Sequence, residues 1–243
     1  MKSFGKYLIL LSTLFVNRER FGVYVRLIID EAILIGIDSV FIVVIVSSFI
    51  GAVTAVQTAY NLVSPFVPLY IIGTIVRDMT ILELAPTITS IVLAGKVGSN
   101  IAGGLGTMRI TEQIDALEVM GINSASYLIL PKIIAAVLTF PLLVIIAAFL
   151  SMYGGYLAGV LTEVLTEKEY IYGIRYQFQA YNVAFAIIKS LVFAFLISSI
   201  SSYQGYFTKG GALEVGKSST EAVTNSCIAV LCADYLLAQL LLK

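Results

Sequence analysis

The chain alternates long apolar runs with short polar punctuation, and the runs are too long for the core of a soluble domain. No charged residue occurs in residues 39–76, 133–162 or 190–208. Each run can hold the roughly 20 residues that cross a bilayer as a helix. A fourth apolar segment, about 70–102, is interrupted by Arg77, Asp78, Glu83 and Lys96, and a fifth, about 222–242, only by Asp234. The pattern predicts an all-α integral membrane protein, a single domain over 1–243 with five transmembrane helices at about 40–62, 70–102, 134–160, 184–206 and 222–242. Residues 4–16 are apolar, but Asn17, Arg18, Glu19 and Arg20 follow without a small-residue cleavage site, so a cleaved signal peptide is not expected. A second apolar stretch, 27–37, is studded with Asp30 and Glu31 and followed by Asp38. Over 1–38 this predicts one or two N-terminal helices lying in the membrane interface.

Composition agrees and narrows the chemistry. Hydrophobic residues make up 59% and charged residues 12%, with a mean hydropathy of +0.96. A soluble globule cannot bury that much apolar side chain. Lysine plus arginine equals aspartate plus glutamate at 15 each, which leaves no basic excess to grip nucleic acid. The chain has no histidine, which removes Ser-His and Cys-His catalysis and histidine-ligated zinc or haem. Cys227 and Cys232, five apart in an apolar run, read as small hydrophobes. Neither a catalytic residue, a metal nor a cofactor is expected. The segments 1–38, 96–132 and 209–217 carry ten of the 15 basic residues, which places them and the N-terminus inside and the C-terminus outside. The loop at 163–182, acidic and rich in tyrosine, falls outside.

Four features have spacing that suggests a role. Residues 211–218 match the Gly-x-x-x-x-Gly-Lys-Ser phosphate loop letter for letter. That loop needs a strand before it, and here a membrane span precedes it. It reads as a turn, with Ser218 and Glu221 as a capping box for the fifth span. Ala94, Gly98 and Ala102 form a small-xxx-small ribbon, suited to close helix packing within the chain or to a dimer interface. Glu83 lies midway along the second span, where a carboxylate is costly. At 100° per residue it shares a face with Thr80, Thr87 and Ser90, a polar stripe that should face a cavity or another subunit. Lys96, thirteen residues on, is too far along the helix to pair with it, so a partner must come from another span, the N-terminal helix or a ligand. Residues 107–121 predict a short amphipathic helix ended by Gly121. It carries Ile110, Ile114 and Leu117 on one face and Glu112, Asp115 and Glu118 on another. An acidic face is wrong for anionic lipid and suits a partner protein's groove.

The run Glu83-Leu-Ala-Pro86, the run Ala94-Gly-Lys-Val-Gly-Ser99 and the sixteen residues from Gly106 to Gly121 closely resemble the MlaE-type (YrbE-like) permease family. These are the membrane subunits of bacterial lipid-transporting ABC systems. The resemblance extends over nearly the whole chain. It implies a homodimeric, non-catalytic inner-membrane permease of five spans with an interfacial N-terminal element, handling phospholipid or a related lipid. It further implies that 107–121 is a cytoplasmic coupling helix docking into a separate ATPase subunit. Glu83 would line a lipid cavity between two permease copies, beneath a periplasmic MCE-domain protein. Such systems serve outer-membrane lipid asymmetry. The chain departs from the family where Leu82 stands in place of an arginine before the glutamate, where Lys96 replaces an arginine, and where Gly104 replaces a glutamate. The alternative is a stand-alone secondary transporter with Glu83 as a proton carrier.

The orientation is open to direct measurement. In a background lacking Cys227 and Cys232, a cysteine placed at Glu118 should resist impermeant thiol reagents added outside intact cells and react once the membrane is opened. Labelling from the outside would overturn the five-span arrangement.

Overall fold

A computed structural model describes residues 2–14, 21–62 and 68–241. The Asn17–Arg20 run and Lys243, both used in the orientation count, lie outside those residues. Among the described residues there are helices and no strand. Helix α1 spans Lys2–Thr13. Five helices long and apolar enough to cross a membrane follow: α2 (Gly22–Asn61), α3 (Tyr70–Ile110), α5 (Ser124–Leu161), α7 (Ala180–Tyr206) and α8 (Ala212–Leu241). Two short helices sit between spans: α4 (Gln113–Val119) and α6 (Glu167–Arg175).

The helices are longer than the apolar runs. The 38 residues of α5 measure about 57 Å at 1.5 Å per residue, against a hydrocarbon thickness of about 30 Å. Helical geometry thus continues into polar sequence that hydropathy leaves out. At the N-terminus, residues 27–37 are not a separate interfacial helix: α2 runs unbroken through them, widening to a π-helical turn at Ile33–Ile37. At the other end, α8 starts ten residues before the expected boundary at 222. Ser218 therefore lies in its second turn and caps nothing. Its hydroxyl instead accepts from Thr208 Oγ1 at 2.9 Å.

The chain divides into two compact units. The first holds the described residues up to Ser39, then Ser90–Phe140 and Leu191 onward. In it, α1 packs on α7 through Tyr7, whose hydroxyl lies 2.8 Å from Ser199 Oγ and whose ring meets Tyr203 edge-on. Burial pushes the Tyr7 hydroxyl above its ordinary pKa, with the Ser199 bond pulling the other way, so it stays a neutral partner. Helices α2 and α5 are joined by an ion pair, Lys132 to Glu31, and by Tyr24 to Ser126 at 2.7 Å. The small-residue ribbon of α3 is filled by α7. Ala94 and Ala102 are fully buried, a Cβ on Gly98 would meet Ser201 Oγ at 2.9 Å, and one on Gly205 would press on the Ala102 carbonyl. The ribbon packs inside the chain.

The second unit holds Val40–Thr89 and Pro141–Ser190. Here α2 and α5 cross backbone to backbone. A Cβ on Gly51 would collide with the Ser151 carbonyl, and one on Gly154 with the Ser48 carbonyl. In lipid no hydrophobic force pulls helices together, so such contact supplies the dispersion and Cα–H attraction that does. Helix α6 opens with a capping box: Thr166 accepts from the Glu169 N–H while Glu169 accepts from the Thr166 N–H. The Thr166 hydroxyl and N–H hold the Glu169 carboxyl below its ordinary pKa. The start of α3 docks on α6, and Arg77 closes the C-terminus of α6. Its buried guanidinium donates to the carbonyls of Ile174 at 2.9 Å and Tyr176 at 2.6 Å and pairs with Asp78. A cation over the last carbonyls of a helix satisfies both their lone pairs and the helix dipole.

These contacts sort the glycines. Gly51→Ala or Gly154→Ala should push the α2–α5 crossing apart and lower the melting temperature in detergent by several degrees or abolish folding. Gly216→Ala, in α8 with open space around it, should raise stability by about 0.5–1 kcal/mol through helix propensity alone. Equal melting temperatures for all three would show that the crossing is not close-packed.

Candidate functional site

Glu83 lies where α3 is least regular. Residues Thr80–Ile88 are π-helical, with Pro86 inside the turn. Proline has no N–H, so in this stretch, where each N–H reaches five residues back, the Ile81 carbonyl is without its helical donor. The next carbonyl, that of Leu82, is met from another helix: Lys189 Nζ of α7 donates to it at 3.1 Å and to Glu83 Oε2 at 2.8 Å. The Lys189 side chain is fully buried, whereas that of Glu83 is 51% exposed. The ammonium also sits 4.9 Å from the centre of the Phe185 ring, one turn back on its own helix. Thr87 Oγ1 donates to the other carboxylate oxygen at 3.3 Å. The result is a charge pair with a hidden cation and an anion that presents one side outward.

The polar stripe read from the sequence does not survive intact. A π turn places one more residue in each turn than an α turn. The segments Thr80–Ile88 and Ala94–Gly98 therefore rotate later residues away from the 100° lattice. Thr80 is fully buried, its hydroxyl 3.3 Å from Ser151 Oγ. Ser90 is fully buried too, and its hydroxyl has no hydrogen-bond partner among the described residues. Thr87 is 5% exposed. Of the four, Glu83 alone is exposed.

Lys189 is the residue that sequence reasoning missed. Its position was available: it is ten residues into α7 and is the only charge in that span. Counting it among the outer-loop cations hid its role. Lys96 is indeed engaged elsewhere, donating to the Asp38 carbonyl at the end of the first π turn.

Residues 107–121 are not one helix. The α3 helix ends at Ile110, a turn with Glu112 at φ 60° follows, and α4 occupies only Gln113–Val119. Gly121, at φ 80°, ends it in a Schellman arrangement: its N–H donates to the Glu118 carbonyl at 2.9 Å, and that of Ile122 to the Leu117 carbonyl at 3.0 Å. Ile114 is fully buried and Leu117 half-buried, so the apolar side faces the protein. The acidic residues divide. Glu112 is exposed. Asp115 pairs with Arg109 at 2.6 Å. Glu118 Oε1 lies 2.8 Å from Ser124 Oγ, at the start of α5, and 3.1 Å from the hydroxyl of Tyr206, at the end of α7. Ser124 and Tyr206 are themselves 2.8 Å apart, which closes a triangle of three oxygens. Val119 and Met120 stand out at 89% and 65% exposed.

The segment 211–218 has no phosphate-loop geometry. Residues from Ala212 onward are helical, and the element before them is the α7 helix. Lys217 lies 3.9 Å from Glu214, one turn back on the same helix.

The family described as Permease MlaE matches residues 28–240. A probable ABC transporter permease protein of Rickettsia bellii is 38% identical over 242 residues, covering 100% of this chain and 93% of its own length. One from Synechocystis is 33% identical over 88% of this chain and 81% of its own. The chloroplastic protein trigalactosyldiacylglycerol 1 of Arabidopsis thaliana is 38% identical over 64% of this chain and 45% of its own. With a match across nearly the whole chain, five helices able to span a membrane and an ion pair held between two of them, the protein belongs to the MlaE permease family.

Proposed function

We propose that the chain is the membrane subunit of an ABC transporter in the bacterial inner membrane, moving phospholipid or a related lipid to or from a periplasmic MCE-domain carrier. Two copies would enclose the lipid path, and a separate cytoplasmic ATPase would drive it. The observation that carries this reading is the Glu83–Lys189 pair. A carboxylate at membrane depth is retained at a cost of roughly 2.5–3.5 kcal/mol on insertion scales, which marks it as functional. Here the cost is met by a buried ammonium, while about half of the Glu83 side chain stays exposed at 51%. The name of the chloroplast relative, that of a galactolipid, agrees with a lipid cargo.

The proton-carrier alternative fits the geometry less well. Protonating Glu83 would strand the buried charge of Lys189, and an uncompensated buried charge is strongly unfavourable. Within the cavity reading, Thr80 and Ser90 serve as packing residues behind Glu83, and Thr87 steadies its carboxylate.

The ATPase contact takes a different form from a continuous acidic face. Asp115 and Glu118 hold α4 to its own chain. The outward surface offers Glu112, Val119 and Met120, an apolar tip with one acid beside it. Such a tip can seat in a groove of a partner.

Two experiments test this reading. Glu83→Gln should destabilise the purified protein by about 3 kcal/mol, because it strands the buried Lys189 charge, and Lys189→Met, which leaves a half-exposed carboxylate, should cost less. The double variant should recover much of that stability yet carry far less lipid, quantified by mass spectrometry of the extracted complex. Wild-type lipid content and transport in the double variant would show that the pair is structural only. For the coupling tip, Val119→Asp should cut co-purification of the ATPase about tenfold, as for an interface anchor, while the permease remains folded. Unchanged stoichiometry would place the contact elsewhere.

A further inference from the structure

Where α5 meets α6, two helical stripes face one another across a cavity of about 410 Å³. Phe149, Tyr153 and Tyr156 come from α5, at spacings of four and three, and Glu167, Tyr170 and Ile174 from α6, at spacings of three and four. Both sets lie on single helix faces. The Tyr153 and Tyr156 rings are stacked with centres 6.1 Å apart, and Tyr156 and Tyr170 lie 5.9 Å apart, tilted by 52°. Tyr170 is buried and fixed, its hydroxyl donating to the Met152 carbonyl at 2.8 Å. Burial pushes that hydroxyl far above its ordinary pKa, so it stays a donor. Tyr156 and Glu167 line the same cavity. Glu167 is the only charged residue in the lining. Lys168 and Arg175 occupy other positions around α6, and neither lines the cavity.

Two accessible tyrosine rings, Tyr153 and Tyr156, share this lining with one carboxylate, the combination that recognises an alkylammonium group, which binds ring quadrupoles and a negative charge together. A bare acyl chain would strip water from Glu167 and return nothing. A phosphate or carboxylate headgroup would be repelled. The apolar wall of Phe149 and Ile174, at the end of a membrane span, suits the stem of a lipid. We propose that this cavity is a binding site for the ammonium headgroup of a zwitterionic phospholipid, separate in every residue from the Glu83–Lys189 pair. The site holds lipid whether or not that lipid is cargo, so it does not rest on the transport reading.

The test is lipid retention. The full chain is placed in nanodiscs of equimolar phosphatidylethanolamine and phosphatidylglycerol with matched acyl chains, then released and delipidated. The bound lipids are counted by native mass spectrometry. The wild-type protein should retain the amine lipid over the anionic one by about tenfold, the scale of a desolvated cation–aromatic contact. Glu167→Gln and Tyr153→Leu should each bring the ratio several-fold closer to one. Tyr153 is 51% exposed, so its loss leaves the fold intact, which a melting curve confirms. Lys168→Gln, on a neighbouring face of α6, should leave the ratio unchanged. Equal retention of the two lipids by wild type would overturn the proposal. So would a Glu167→Gln shift no larger than that of Lys168→Gln, and the tyrosines would then be an ordinary interfacial belt.

Discussion

A lysine buried among membrane helices cannot stay charged unless oxygen atoms are brought to it. In this protein that requirement falls on Lys189 and is met by two acceptors of different origin. One is the Glu83 carboxylate. The other is the backbone carbonyl of Leu82, within the π-helical stretch that holds Pro86. The widened helical turn and the lysine therefore meet at one place: Lys189 bridges a carbonyl and a carboxylate of adjacent residues. The MlaE-type resemblance places an arginine directly before the glutamate. Here Leu82 leaves that place apolar, and the cation arrives from a different helix.

Much of the architecture was legible beforehand because the bilayer enforces it. Backbone groups in hydrocarbon must bond within their own segment, so a long uncharged run becomes a helix with little ambiguity. Helix ends were less legible. Helical bonding does not stop where hydropathy falls, and α2, α5 and α8 all run on into polar residues such as Glu31, Ser124 and Lys217. Gly121 did announce the end of α4, since a positive φ there is what a glycine supplies cheaply. The turn at Glu112 did not announce itself: a glutamate at φ 60° has no local sequence signal.

The candidate site was half legible for a different reason. Glu83 declared itself by being a carboxylate in an apolar stretch. Its neighbours were assigned on a lattice of 100° per residue, and that lattice fails wherever hydrogen bonds skip to the fifth residue. Thr80 and Ser90 went to the wrong side of the helix accordingly. Lys189 escaped because charges near span ends are routinely counted as loop charges. Its depth within α7 becomes plain only when the helix is seen to begin at Ala180.

The oxygen triangle of Glu118, Ser124 and Tyr206 bears on how a displacement can pass between α4 and the ends of two spans. Two hydroxyl protons serve three short contacts, so the bonds can trade partners without any of the three groups leaving. A rigid clasp would snap under a small displacement. Shared in this way, the contacts form a yoke: a displacement of α4 would be felt by the first residue of α5 and the last of α7 together.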